Sequence, residues 1–185
     1  MDLSIITTYR CDSRCSTCHV WKNPTRPDYE LDIETLKKLP AGFDFVNITG
    51  GEPTLRRDLL DICHVLAPKT KTLEISTNGL HGDVLKSIVR TYPDIKIRNS
   101  VEGPEEKNDM IREERNGFEK KLEAMRGLVA VGGIDLRFAT SFLVFEHRQA
   151  ARELYSTDCS EFFENGRIRL FGERYGRTPI QSRGS

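Results

Sequence analysis

Apolar residues recur along this chain in two alternating rhythms. Short runs rich in β-branched and aromatic residues read as strands at about 3–9, 44–49, 72–77, 95–101 and 135–144. Between them, apolar positions recur at helical spacing. The segment at about 55–66 places Leu55, Leu59, Ile62, Cys63 and Leu66 on one face. Val84, Leu85, Ile88 and Val89 predict a helix at about 81–91, and Phe118, Leu122, Met125 and Val129 one at about 117–131. A short helix is expected at about 32–39. Alternating strands and helices predict an α/β fold with a parallel sheet.

The rhythm fades from Phe145 onward. No lysine follows Lys121, whereas nine arginines do, seven of them from Arg148 on. A helix at about 147–155 and the strand-like run Arg167–Phe171 are the only ordered elements this tail suggests. We therefore divide the chain into a core, residues 1–144, and a segment at 145–185. That segment reads as a divergent end, a linker or the product of a truncated or frame-shifted gene.

Composition narrows the function. The 28 basic and 28 acidic residues balance, which gives no electrostatic grip on nucleic acid or an acidic membrane surface. The chain opens almost directly in a strand, without a leader or a long apolar run, so a cytoplasmic location is expected. Three of its five cysteines crowd into Cys11-x3-Cys15-x2-Cys18, which favours metal binding in a reducing compartment over disulfides.

Candidate chemistry gathers where the strands end. Cys11, Cys15 and Cys18 follow the first strand, and Gly50-Gly51-Glu52-Pro53 the second. Ser76-Thr77-Asn78-Gly79 closes the third, and Ser100-Val101-Glu102-Gly103 the fourth, with Asn108-Asp109-Met110-Ile111-Arg112 shortly after. In parallel sheets, sites collect at the carboxyl ends of the strands, so chain order alone predicts one shared pocket. Three thiolates on one loop can hold three irons of a [4Fe–4S] cluster and leave the fourth iron open.

These motifs together resemble the radical S-adenosylmethionine (SAM) superfamily, in the branch that includes molybdenum-cofactor and peptide-modifying members. The resemblance runs from about Leu3 to about Val144. It implies a partial (βα)6 barrel, here with an atypical C-terminal end. It also implies an enzyme in which SAM binds the open iron and is cleaved reductively to start radical chemistry, with flavodoxin or ferredoxin as reductant. By the same resemblance, Gly50, Gly51 and Glu52 meet or support the SAM amino group. Ser100 meets its carboxylate or ribose, Glu102 accepts from a ribose hydroxyl, Ser76 and Asn78 line a polar wall, and Arg112 pairs with a carboxylate. The substrate stays open.

Two positions depart from the family pattern. Glu113 stands where glycine usually follows the arginine, and Thr17 where an aromatic residue usually precedes the third cysteine. His19 or Trp21 is the expected substitute for that aromatic. Cys63 reads as a structural core residue and Cys159 stands alone. Other readings use the same residues. Cys15-Ser16-Thr17-Cys18-His19 fits a haem-attachment pattern, and Cys11, Cys15, Cys18 and His19 could ligate zinc. A remnant that binds cluster or metal without turnover is the alternative to an active enzyme.

Overall fold

The computed structural model describes residues 1–131 and the backbone of two later strands, 135–140 and 168–172. Its strands are β1 (Asp2–Ile6), β2 (Phe45–Thr49), β3 (Leu73–Thr77), β4 (Lys96–Ser100), β5 (Asp135–Thr140) and β6 (Ile168–Gly172). The helices are α1 (Ile33–Lys37), α2 (Leu59–Leu66), α3 (Gly82–Thr91), α4 (Glu105–Arg112) and α5 (Gly117–Val131). The strands form one parallel sheet in sequence order, β1 to β6. The strand-like run of the tail is β6, beside β5. The expected helix at about 147–155 and residues 141–144 of the fifth strand lie outside the described residues.

Alternation along the strands divides the sheet into two unlike faces. Ile5, Val46, Ile48, Leu73, Ile75 and Ile97 are buried with Leu59, Ile62 and Leu66 of α2, Leu85 and Ile88 of α3, and Phe118 and Leu122 of α5. The intervening positions Asn47, Glu74, Ser76 and Arg98 are polar and bond to one another. Ser76 donates to Asn47 Oδ1 (2.9 Å) and accepts from Arg98 Nε (3.0 Å), while Glu74 lies 3.1 Å from the same Nε. Helices cover the apolar face and leave the polar one for a site.

Two expectations are corrected, and one helix was not expected. The helix expected from about residue 55 begins at Leu59, after a 3-10 turn at Pro53–Leu55. Arg56 interrupts it in extended conformation, donating to the Thr7 (2.9 Å) and Leu31 (3.0 Å) carbonyls and to Asp58 through Nε (2.8 Å). Val84 is 37% exposed instead of facing the core. Helix α4 was not legible from periodicity, because Ile111 is its only buried apolar side chain and Met110 is exposed.

Candidate active site

The hydrogen bonding of β1 to β2 continues past the strand ends. Thr7 N–H donates to Thr49 O (2.8 Å), Gly51 N–H to Thr8 O (2.7 Å) and Glu52 N–H to Arg10 O (2.8 Å). This seam explains both glycines. A Cβ on Gly50 would collide with the Thr8 carbonyl, and one on Gly51 with that of Arg10. Gly50 also has a φ of 154°, where L-residues are strained. The close approach expected of these glycines is thus made by the backbone leading into the cysteine loop.

Glu52 is fully buried and carries the seam to β3. Its Oε1 accepts from Thr54 N–H (2.9 Å), Thr54 Oγ1 (2.5 Å) and Thr77 Oγ1 (2.9 Å), and its Oε2 from Asn78 N–H (2.6 Å). Burial pushes its carboxyl up, and the donors of Asn78 and Thr54 pull the other way. Asn78 continues the chain of contacts: its Nδ2 donates to Asp12 Oδ1 (2.7 Å) and Ser13 Oγ (2.9 Å). His81 Nε2 lies 2.8 Å from Asp12 Oδ2. Asn78 therefore steadies the cysteine loop from the end of β3.

The loop is held from its other side by α4. Ser16 donates to the Ile111 carbonyl through both N–H (2.8 Å) and Oγ (3.2 Å), and Ser13 Oγ donates to Glu114. Glu114 accepts from Lys121 Nζ (2.8 Å), which is completely buried on α5. Burial lowers the lysine's pKa, with Glu114 opposing. Sequence reasoning missed this pair. The signal was a lysine three residues after Phe118 and four before Met125, on the apolar stripe of α5.

Glu102 and Arg112, singled out separately in the sequence, meet each other. Arg112 Nη2 lies 2.5 Å from Glu102 Oε1, both side chains being buried. Arg112 Nε is buried and has no hydrogen-bond partner among the described residues. The elements between them are structural: Asn108 Oδ1 accepts from Glu102 N–H (3.3 Å), and Asp109 caps α5 by accepting from Gly117 N–H (3.0 Å) and Phe118 N–H (2.8 Å). Glu113, where glycine was expected, has a φ of 52° and ends α4 in the left-handed region. Ser100 ends β4, opposite Ala139 of β5. Ser76 lies lower on the same face, in the bonds to Asn47 and Arg98.

Among the cysteines of the loop, Cys15 is buried, Cys11 half-buried and Cys18 exposed, all with free thiols. Burial pushes the Cys11 thiol up to about 11. Burial raises that of Cys15 too, opposed by the nearby cations Arg112 and Lys121. Thr17 and His19 are exposed. Trp21 is tied into the loop, donating to the Cys15 carbonyl (3.3 Å), with the cations of Arg14 and Lys22 near its ring. Among the described residues, no three His, Cys, Asp or Glu side chains converge where a single metal ion would sit. A cleft of about 350 Å³ opens beside β1, with Ile6, Tyr9, Tyr29 and Glu30 on its walls and no cysteine in its lining. Among the described residues, no helix is long and apolar enough to cross a membrane.

Comparison with known proteins bears on the family and the fold. The protein is similar to molybdenum cofactor biosynthesis protein moc-5 of Caenorhabditis elegans, 32% identical over 132 residues, covering 66% of this chain and 22% of that protein. It is similar to a probable GTP 3′,8-cyclase of Thermococcus kodakarensis, 36% identical over 86 residues, covering 42% of this chain and 27% of the relative. The chain thus spans about a quarter of the length of these curated relatives. Its fold matches Streptococcus suis SuiB bound to S-adenosylmethionine, with a TM-score of 0.72 at 17% identity, over 95% of this chain and 41% of SuiB. The profile of the Radical SAM superfamily, whose members use a [4Fe–4S] cluster and SAM, matches residues 5–154. With that profile running from the first strand through the rim of motifs and beyond β5, the chain belongs to the Radical SAM superfamily.

Proposed function

We propose that this chain is the core of an enzyme that cleaves SAM reductively and starts radical chemistry on a substrate, with Cys11, Cys15 and Cys18 holding a [4Fe–4S] cluster. The observation that carries the reading is the meeting of the β2 exit, Asn78 at the end of β3 and α4 around one loop that bears three free thiols. The donor chemistry fits the group: three free thiols on one loop suit three irons of a cluster and leave the fourth open. The orphaned Nε of buried Arg112 is a donor suited to a carboxylate oxygen.

When bound, the cluster and SAM supply the electron transfer and the hydrogen-abstracting chemistry. The chain's own residues position them. Gly50 and Gly51 let the second strand's exit close against Thr8 and Arg10, and Glu52 locks that seam to Asn78. Asn78 and Glu114 hold the cysteine loop through Asp12 and Ser13. On the opposite side Arg112 would hold the SAM carboxylate, and Ser100 and Glu102 would hold its ribose. Ser76 lies on the polar face below them. A small electron donor, flavodoxin or ferredoxin, supplies the reducing equivalents. The reducing cytoplasm suits three neighbouring unpaired thiols.

The test is anaerobic reconstitution with iron and sulfide, followed by dithionite and SAM. The reading predicts 5′-deoxyadenosine and methionine in equal amounts. A reconstituted cluster with no cleavage would leave the remnant reading in its place.

A further inference from the structure

Helix α5 buries a lysine that the proposed chemistry leaves unused. Lys121 follows Phe118 by three residues and precedes Met125 by four, so it stands on the apolar stripe of the helix, and its side chain is 0% exposed. Lysine is almost never fully buried unless it is paired. Its partner is Glu114, at 2.8 Å. Such a pair is weak evidence for stability, because desolvating two ions offsets much of their attraction, and apolar residues of similar volume often serve as well. Another reason for this lysine is found in what Glu114 touches.

The Glu114 carboxylate accepts from Lys121 on Oε2 and from Ser13 Oγ on Oε1. Ser13 Oγ in turn accepts from Asn78 Nδ2 (2.9 Å). One chain of hydrogen bonds thus runs from the end of β3, through the cysteine loop between Cys11 and Cys15, to α5. Ser16, just past Cys15, is tied to the Ile111 carbonyl. The buried Cys15 therefore lies between two anchored residues, and the charged groups around it include the cations Arg112 and Lys121 and the anion Glu114. An ammonium can donate more hydrogen bonds than the one that Glu114 accepts.

We propose that Lys121 is a positioning residue for electron transfer: fastened to the cysteine loop through Glu114 and Ser13, it holds a buried positive charge near Cys15 that favours the reduced over the oxidised cluster. One-electron reduction, with the electron supplied by the donor protein, adds a negative charge to the cluster and neither forms nor breaks a bond. A neighbouring cation shielded from water stabilises that added charge. Glu114 opposes it in part, so the two partners act with opposite signs. The electrostatic role rests on the radical SAM reading; the hold on the loop does not.

Two measurements on the full chain test it. Without cluster, limited trypsin digestion with peptide mapping compares cleavage after Arg14, exposed within the loop, and after Lys38, exposed at the end of α1. The double variant Lys121→Met/Glu114→Leu removes both charges together, so no lone ion is buried, and it takes away the acceptor of Ser13. Cleavage after Arg14 is expected to rise at least about fivefold, with cleavage after Lys38 unchanged. No rise at Arg14, or an equal rise at both sites, would overturn the hold on the loop.

In the reconstituted protein, an EPR-monitored redox titration reads the ratio of reduced to oxidised cluster at a fixed potential. Lys121→Met is expected to lower that ratio at least about fivefold, and Glu114→Gln, which keeps an acceptor for Ser13, to raise it. A merely structural role moves both variants the same way or neither, and either result would overturn the electrostatic role. An unaltered chain that assembles no cluster, while the double variant still opens the loop, contradicts the radical SAM reading and the electrostatic role with it, and leaves the hold on the loop standing.

Discussion

The two walls of the candidate site are built to opposite specifications. On the side of β1 to β3, polar groups are satisfied by the protein itself: Glu52 accepts four hydrogen bonds, and Asn78 bonds both Asp12 and Ser13. On the side of β4 and α4, satisfaction is incomplete. There Arg112 Nε is buried without a hydrogen-bond partner among the described residues. Buried polar groups are ordinarily paired, and leaving one unpaired costs about 1–3 kcal/mol. The first wall is organised to hold a shape, and the second retains hydrogen-bonding capacity for a ligand.

The comparison breaks most severely at Glu52. Glu52→Ala strands four buried donors, so we expect a loss of at least about 3 kcal/mol in urea unfolding of the protein without cluster. A change within about 1 kcal/mol would mean that the wall is not the frame it looks like. Gly51→Ala should follow closely, because its Cβ meets backbone at Arg10 and Tyr9, which cannot move aside cheaply. Its expected cost is about 2 kcal/mol, measured in the same way.

Arg112→Lys sharpens the contrast from the other wall. It keeps a cation for Glu102 but removes Nε and the planar fork. Stability should change by less than about 1 kcal/mol, while the Kd for SAM rises about tenfold in the reconstituted protein. A large stability loss with unchanged SAM binding would reverse the roles of the walls.

Thiol reactivity ranks the cysteines more gently. Burial pushes the Cys63 thiol up to about 12, and Cys63 is wholly covered on α2. In the native protein without cluster, peptide mapping after alkylation at neutral pH should find Cys18 labelled first and Cys63 last among the four described cysteines.

The smallest effect is a control remote from both walls. Hydrogen bonds from Lys71 and the chain's amino terminus hold the exposed Asp44 carboxyl down at about 2. Its folded pKa lies below its unfolded value, so its contribution is present above about pH 4 and is lost as pH falls toward 2. Asp44→Asn should slightly flatten the dependence of the urea midpoint on pH across that window and leave SAM binding unchanged.

Periodicity revealed those parts of the molecule that are decided by burial. Ile62, Cys63 and Leu66 are core residues because α2 repeats its apolar face, and β2 to β4 are recognisable because their apolar positions alternate. Where hydrogen bonds across distant segments decide, periodicity was silent. Arg56 breaks a helix that the apolar spacing would continue, because its guanidinium spans Thr7, Leu31 and Asp58. Helix α4 is polar on most of its surface, and its position follows from Asp109 capping α5 and Ile111 receiving Ser16. The motif residues were legible as a set, but their mutual roles were not. Glu102 and Arg112 bond each other, and Asn78 bonds the cysteine loop.

The central claim is that this rim holds an open-iron cluster with SAM on it. The most direct measurement is the EPR spectrum of the anaerobically reconstituted, reduced protein with and without SAM. The account predicts a [4Fe–4S]+ signal that changes when SAM is added and no longer changes, or changes only at far higher SAM, in Arg112→Lys. A cluster signal indifferent to SAM in the unaltered chain, or no cluster at all, would contradict it.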